Sequence, residues 1–165
     1  MRSIHSSVAL ALACAAAIPL AAPSAALAQR MHEHGHAVSA PADLKWVDIP
    51  SLPPGAKLAV LEGPMNEPVP FTARLRLPAN YRIPAHWHPG VERITVLSGT
   101  FYMGAGEVLD TTKGVSVPAG GFTVMPARTP HYAYTMGEPA EIQLHSTGPW
   151  GVTYLVPADD PRRKP

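Results

Sequence analysis

Histidines and a glutamate with the spacing of metal ligands stand near the middle of this chain. His86 and His88 are separated by one residue, so on an extended chain both imidazoles point to the same side. Glu92 follows across a Pro-Gly bend and shares its side of the chain with Ile94 and Val96. The spacing therefore predicts a carboxylic acid on an otherwise apolar, inward face, close to two imidazoles.

A carboxylate on an inward face needs a partner of opposite charge. Left ionised and unpaired it destabilises the fold, and a divalent cation shared with His86 and His88 is the most economical partner in view. A second segment places His131 after a turn that Pro126 stiffens. In a small barrel, His131 could complete a site of three histidines and one glutamate.

The elements that must position these residues are predicted to be β-strands. From Leu44 onward we find no sustained 3.6-residue period, whereas apolar and polar residues alternate along 71–77 and 92–96, as on strands with one buried face. Pro- and Gly-rich breaks separate the segments. Further candidates are 57–61, 100–103, 114–117, 122–125, 131–135, 140–145 and 152–156. Short strands at this spacing predict an all-β, antiparallel sandwich or barrel.

The two histidine segments resemble the paired motifs of the cupin superfamily, in particular its small single-domain, conserved-barrel members. The resemblance covers about residues 60–156 and implies a double-stranded β-helix, or jelly-roll, barrel with a divalent metal near its mouth. It assigns the metal ligands to His86, His88, Glu92 and His131. The remaining motif positions fall on Gly99, Gly120 and Pro126. Arg128 and Thr135 depart from the motif, because cupins usually carry Gly at the first position and often Asn at the second.

Three histidines and one carboxylate leave coordination positions open, as a catalytic site requires. We therefore predict that the chain binds one divalent ion (Fe, Mn, Ni, Cu or Zn) and acts on a small molecule as a dioxygenase-like metalloenzyme, with Glu92 as a base. The alternative is a non-enzymatic cupin module that binds a metal or small ligand, supplemented by His32, His34 and His36. A metal-free cupin is a third alternative.

Two further side chains are candidates for supporting roles. Arg128 lies close in sequence to His131 and could bind an anionic group of a substrate. His145 shares strand parity with Gln143 and Glu141 and could donate a hydrogen bond from behind the metal ligands. Trp150 is predicted to be a core residue.

The first 28 residues have the composition of a secretory signal peptide. Arg2 precedes an Ala/Leu-rich run, and the segment ends in the small residues Ala26-Leu27-Ala28. We therefore expect a periplasmic or secreted protein that begins at Gln29. A retained membrane anchor or a lipid on Cys14 are the alternatives. Residues 29–43 are predicted to be a disordered His-rich tail, 44–157 the barrel domain, and 158–165 a charged C-terminal end.

Composition excludes several classes of partner. Without residues 1–28 the chain has no cysteine and equal numbers of basic and acidic residues, so neither a disulfide scaffold nor a cysteine nucleophile is available. The absence of a basic excess argues against nucleic acid. We expect a small-molecule substrate or ligand and no membrane contact after signal cleavage. The sequence leaves open whether the chain forms a homodimer.

Overall fold

The computed structural model describes residues 30–31 and 37–163 of the 165. The predicted signal peptide at 1–28 lies outside the described residues, as do His32, His34 and His36 of the predicted tail and the last two residues. In the part of the chain that is described, no helix is long and apolar enough to cross a membrane.

The described residues form short β-strands joined by turns. The strands are β1 Arg30–Met31, β2 Ala37–Val38, β3 Val47–Asp48, β4 Lys57–Glu62, β5 Pro70–Leu77, β6 Arg82–Trp87, β7 Glu92–Ser98, β8 Thr100–Ala105, β9 Val115–Pro118, β10 Phe122–Met125, β11 His131–Tyr134, β12 Ala140–Thr147 and β13 Thr153–Tyr154. Three-residue 3-10 turns lie at Pro41–Asp43, Pro157–Asp159 and Pro161–Arg163.

Two antiparallel sheets make up the barrel. One has six strands in the order β10-β7-β12-β5-β4-β3, and the other has five in the order β13-β6-β11-β8-β9. Strands β1 and β2 pair only with each other. The chain passes repeatedly from one sheet to the other, which is the double-stranded β-helix arrangement, and the predicted all-β, antiparallel fold is confirmed.

The period-two pattern places the core between the sheets. On β5 the side chains of Phe71, Ala73 and Leu77 are buried, while Arg74 and Arg76 point outward and pair with polar residues of β12. Alternation of this kind is expected of a strand with one face in the core and one face in water. The predicted cationic outer face of this strand is confirmed.

One strand that carries the site was not among the predicted segments. Strand β6 contains Pro84, which has no amide hydrogen to donate and therefore reads as a break in a strand. In the structure, Pro84 lies opposite a shift in the pairing of β6 with β11, since Ile83 and His86 pair with residues only two apart on β11. A proline is tolerated at such a bulge because the ladder is already interrupted there.

Short regular elements lie in the described parts of both predicted terminal segments. The segment 29–43, predicted to be disordered, contains the β1–β2 pair and one 3-10 turn. The C-terminal end, predicted from its charges to be frayed, forms two 3-10 turns in its described part. Arg162 donates two hydrogen bonds to the carboxylate of Asp160, at 2.7 and 2.9 Å, and one to the carbonyl of Val152 at 2.9 Å. The bidentate pair with Asp160 orients the guanidinium, and the hydrogen bond to Val152 attaches the end to the barrel domain.

The turn from β7 to β8 depends on a glycine. Gly99 has a φ of +69°, and a Cβ atom added there would lie 2.1 Å from the carbonyl oxygen of Pro139. Both the left-handed conformation and the close approach of another backbone therefore require the absence of a side chain.

We expect Gly99→Ala to lower the free energy of unfolding by about 2–4 kcal/mol, because it adds backbone strain and a steric clash. Gly137→Ala is the matched control, since nothing lies within 4 Å of a Cβ at Gly137 and no positive φ is found there. Urea denaturation followed by circular dichroism compares the two variants. Equal stability of both would contradict the role of Gly99.

Candidate metal centre

Strand pairing brings the predicted histidines together. His86 lies near the end of β6 and pairs directly with His131, the first residue of β11. Residues opposite each other in an antiparallel ladder project to the same face, and the two imidazole centroids are 4.3 Å apart. His88 follows β6 and Glu92 begins β7, and all four side chains are buried.

The four side chains form one cluster. One nitrogen atom from each of the three histidines lies within 4.8 Å of the others. The Glu92 carboxylate lies beside two of them, with Oε1 3.4 Å from Nε2 of His88 and Oε2 3.3 Å from Nε2 of His131. The sequence prediction that His86, His88, Glu92 and His131 come together therefore agrees with the geometry.

Backbone carbonyls fix which nitrogen of each ring points to the cluster. The Nδ1 atoms lie 2.7 to 2.9 Å from carbonyl oxygens: His86 against Pro84, His88 against Gly151 and His131 against Thr129. A carbonyl oxygen only accepts hydrogen bonds, so Nδ1 carries the hydrogen in each ring. In the neutral tautomer this leaves the lone pair on Nε2, which is the arrangement found in histidines that bind metals.

Several buried atoms of the cluster lack a hydrogen bond. Within residues 30–31 and 37–163, Nε2 of His88, Nε2 of His131 and Oε2 of Glu92 have no hydrogen-bond partner. Two lone pairs that face each other at about 3.3 Å repel, and buried unsatisfied polar atoms are rare in native proteins. A positive charge between these atoms, either protons or a cation, removes the repulsion, so the donor set fits a divalent ion.

Electrostatics favour neutral imidazole at one ligand and an ionised carboxylate beside it. Burial, together with the nearby His131 and His88, lowers the pKa of His86 to about 3. Burial alone would raise the pKa of Glu92, but contacts with His131 and His88 outweigh it and hold that pKa well below its usual value. Burial likewise opposes the charge on His131, but Glu92 raises its pKa. The carboxylate of Glu92 is therefore ionised and draws positive charge, either a proton or a cation, to the space beside it.

A loop far along the chain holds His88 in place. The Trp150 ring stacks on His88 with centroids 4.1 Å apart and planes 19° from parallel, and the next residue, Gly151, supplies the carbonyl that accepts from Nδ1 of His88. Trp150 was predicted to be a core residue, and it does pack edge-on against buried Phe71. Its contact with a candidate ligand was missed, because nothing in the local sequence signals a neighbour more than sixty residues away.

A cavity of about 320 Å³ adjoins the histidines. Both sheets contribute to its walls, and its lining includes all four residues of the cluster together with Trp150. A volume of this order is at the lower end of the range for small-molecule sites. The cluster thus has an adjacent space in which a small molecule could bind.

The structure does not bring Arg128 to the cluster. Its exposed guanidinium lies 5.7 Å from the Trp87 ring centroid, outside the cavity lining. Its backbone has a φ of +58°, so the left-handed conformation that glycine usually adopts at this motif position is kept. The backbone N–H of Arg128 donates to the carbonyl of His88 at 2.8 Å, so the turn, rather than the side chain, supports the site.

His145 lies on the opposite face of its strand from the cavity. Its neighbour Leu144 lines the cavity, whereas His145 contacts Thr72 at 3.1 Å and Gln143 at 3.0 Å on the outer face of the sheet. Successive side chains of a strand point to opposite faces. A hydrogen bond from His145 to the ligands, as predicted, is therefore not formed.

Comparison with solved structures shows the same fold. The polyketide cyclase RemF from Streptomyces resistomycificus superposes with a TM-score of 0.63 at 19% identity, over 77% of this chain and 90% of that chain. The DMSP lyase DddQ from Ruegeria pomeroyi gives a TM-score of 0.57 at 17% identity, over 70% and 63% of the two chains. KdgF from a Halomonas species gives 0.51 at 18% identity, over 66% and 91%.

The comparison of sequences assigns the family. A search of curated proteins found no match. The profile of the ChrR cupin-like domain matches residues 34–150, which includes the histidine cluster and begins within the segment predicted to be a tail. The chain therefore belongs to the ChrR cupin-like domain family of the cupin superfamily.

Proposed function

We propose that this protein binds one divalent metal ion through His86, His88, Glu92 and His131 and uses it to transform a small molecule in the adjoining cavity. The observation that carries the proposal is the set of buried, unpartnered nitrogen and oxygen atoms that converge beside that cavity. Imidazole nitrogen and carboxylate oxygen suit several first-row ions, and Fe, Mn, Ni, Cu and Zn are all candidates.

The residues of the chain prepare the site before any substrate binds. The carbonyls that accept from Nδ1 hold the imidazole rings in fixed orientations, which is the usual support of histidine ligands. A bound ion would supply Lewis-acid polarisation of a substrate oxygen, or electron transfer if it is redox-active. Glu92, whose Oε2 has no hydrogen bond within the described residues, is positioned to take a proton from a substrate beside it.

The reaction class is a separate part of the proposal. Proteins of this fold bear names as different as polyketide cyclase and DMSP lyase, so the fold by itself does not select a reaction. We favour dioxygenase-like oxidation, because an ion held by three histidines and one carboxylate would have room for further ligands, such as a substrate oxygen together with dioxygen. The competing proposal is a module that binds a metal or small ligand without turnover.

Export is also proposed, from the composition of residues 1–28. A periplasmic or secreted protein would receive its metal outside the cytoplasm and would meet only small molecules that reach that compartment. A mature N-terminus at Gln29 in protein recovered from the periplasm or medium is the check. Protein that retains residues 1–28 in the cytoplasm would contradict export.

We expect His131→Ala to abolish stoichiometric binding of zinc, because it removes a ligand and opens a gap beside Glu92. His145→Ala is the matched control, since this histidine lies on the outer face of the sheet. Both variants are made with His32, His34 and His36 replaced by serine, so that the tail adds no ligands. Calorimetric titration should give one equivalent for the parent and the control, and a full equivalent in His131→Ala would contradict the site.

We expect Trp150→Ala to weaken zinc binding about 10- to 100-fold, the range typical of losing a group that orients a ligand. The substitution removes the ring that stacks on His88. Trp46→Ala is the control, because Trp46 packs under the guanidinium of Arg76 on the outer face. The same titration measures both, and equal affinities would show that the stack does not position His88.

Turnover is tested with metal-loaded protein and a panel of diols, flavonoids, thiols and oxoacids. Oxygen uptake and substrate loss by mass spectrometry are both recorded, so that a non-oxidative reaction is also detected. We expect Glu92→Gln to lower turnover at saturating metal at least 100-fold by removing the proton acceptor, and Glu141→Gln, on the outer face, to leave it unchanged. Metal binding without turnover across the panel would favour the binding module.

A further inference from the structure

The cavity beside the histidines has mostly apolar walls. Strands from both sheets contribute aliphatic, thioether and aromatic side chains, among them Leu75, Ile83, Phe101, Met103, Ile142 and Leu144. All of these are core residues, with exposures below 10%. A ligand that enters this space is therefore surrounded mostly by groups that offer no hydrogen bonds, although Ser51 and Trp150 also line it.

Charged side chains line the cavity only at its ends. Among the described lining residues they are Glu92, which belongs to the histidine cluster, and Asp48 and Arg162, which are both exposed and so mark the opening. The guanidinium of Arg162 is already neutralised by the carboxylate of Asp160, which it contacts at 2.7 and 2.9 Å. Between the cluster and the opening, an ionic group on a ligand would find no partner, and a buried unpaired charge is strongly unfavourable.

The size of the cavity limits the ligand further. A volume of about 320 Å³ is at the lower end of the range for small-molecule sites. It suits a small body such as a six-carbon chain or one ring with short substituents. Larger molecules would have to extend through the opening past Arg162.

From these observations we infer that the substrate is a small molecule with a neutral, apolar body, joined to an oxygen-bearing head that reaches the histidine cluster. The inferred head group rests on the proposed metal function, whereas the inferred apolar body rests on the cavity walls. Sugars, sugar acids and zwitterions fit this cavity poorly, because most of their polar groups would be desolvated without partners.

Three hydroxamic acids with the same metal-binding head separate the alternatives. Zinc-loaded protein is titrated with acetohydroxamic acid, hexanohydroxamic acid and adipic acid monohydroxamate, which carries a carboxylate at the far end of a six-carbon chain. The hexano compound should bind roughly 200-fold more tightly than the aceto compound, since each of its four extra methylenes contributes about fourfold when buried. The carboxylate analogue should bind at least about tenfold more weakly than the hexano compound.

A variant that fills the cavity tests whether the probes bind inside it. Ala133 is buried, lines the cavity and follows Tyr132 on β11, so Ala133→Leu should weaken the hexano compound at least about tenfold and leave the aceto compound unchanged. Ala119→Leu, on the exposed turn before β10, is the matched control and should change neither. If Ala133→Leu does not fold, the relative affinities of the three hydroxamic acids for the unaltered protein still test the inference.

The outcomes distinguish this inference from the proposed function. Protein that takes one equivalent of zinc but binds the three probes within threefold of each other, or binds the carboxylate analogue most tightly, overturns the apolar substrate while leaving the metal site intact. Protein that takes neither zinc nor any of the other candidate ions overturns the proposed function. The cavity is then tested with hexan-1-ol alone: a rise in melting temperature that Ala133→Leu removes supports the apolar ligand, and no rise overturns it.

Discussion

A carboxylate buried between imidazole nitrogens is the constraint on which this structure depends. Glu92 lies 3.3 and 3.4 Å from the Nε2 atoms of His131 and His88. Without positive charge between them, these buried atoms would repel one another. The direct pairing of β6 with β11, the carbonyls behind the rings and the Trp150 stack all serve to keep this cluster together. The apolar walls of the cavity raise the strength of that attraction, because they exclude water from it.

Local spacing was sufficient to predict the cluster and most of the strands. His86, His88 and Glu92 come from one short segment, and period-two alternation along β5 and β7 was enough to place the core. Strand β6 was missed because Pro84 resembles a strand break, and only its pairing partner shows that the ladder is already shifted there. The sandwich of two antiparallel sheets follows from the number and length of the strands.

The remaining features depend on contacts between distant parts of the chain. Trp150 and Gly151 reach His88 from another strand connection, so no motif near either residue could have indicated the contact. The charged C-terminal end was predicted to be frayed, because a sequence cannot show that Asp160 and Arg162 satisfy each other. His145 is different, since the apolar parity of Ile142 and Leu144 already indicated that it faces outward.

The two ends of the domain frame the opening of the cavity. Asp48, Ser51 and Arg162 all contribute to its lining. The first two belong to the start of the domain and the last to its end. Tyr154, near the end of the domain, donates a hydrogen bond to the carbonyl of Ser51 at 2.9 Å. The ligands and the core lie on the inner strands, whereas the rim is built from terminal segments. Insertions or replacements at the termini can therefore change what enters the cavity while the metal ligands and the barrel stay as they are, which separates the evolution of selectivity from that of stability.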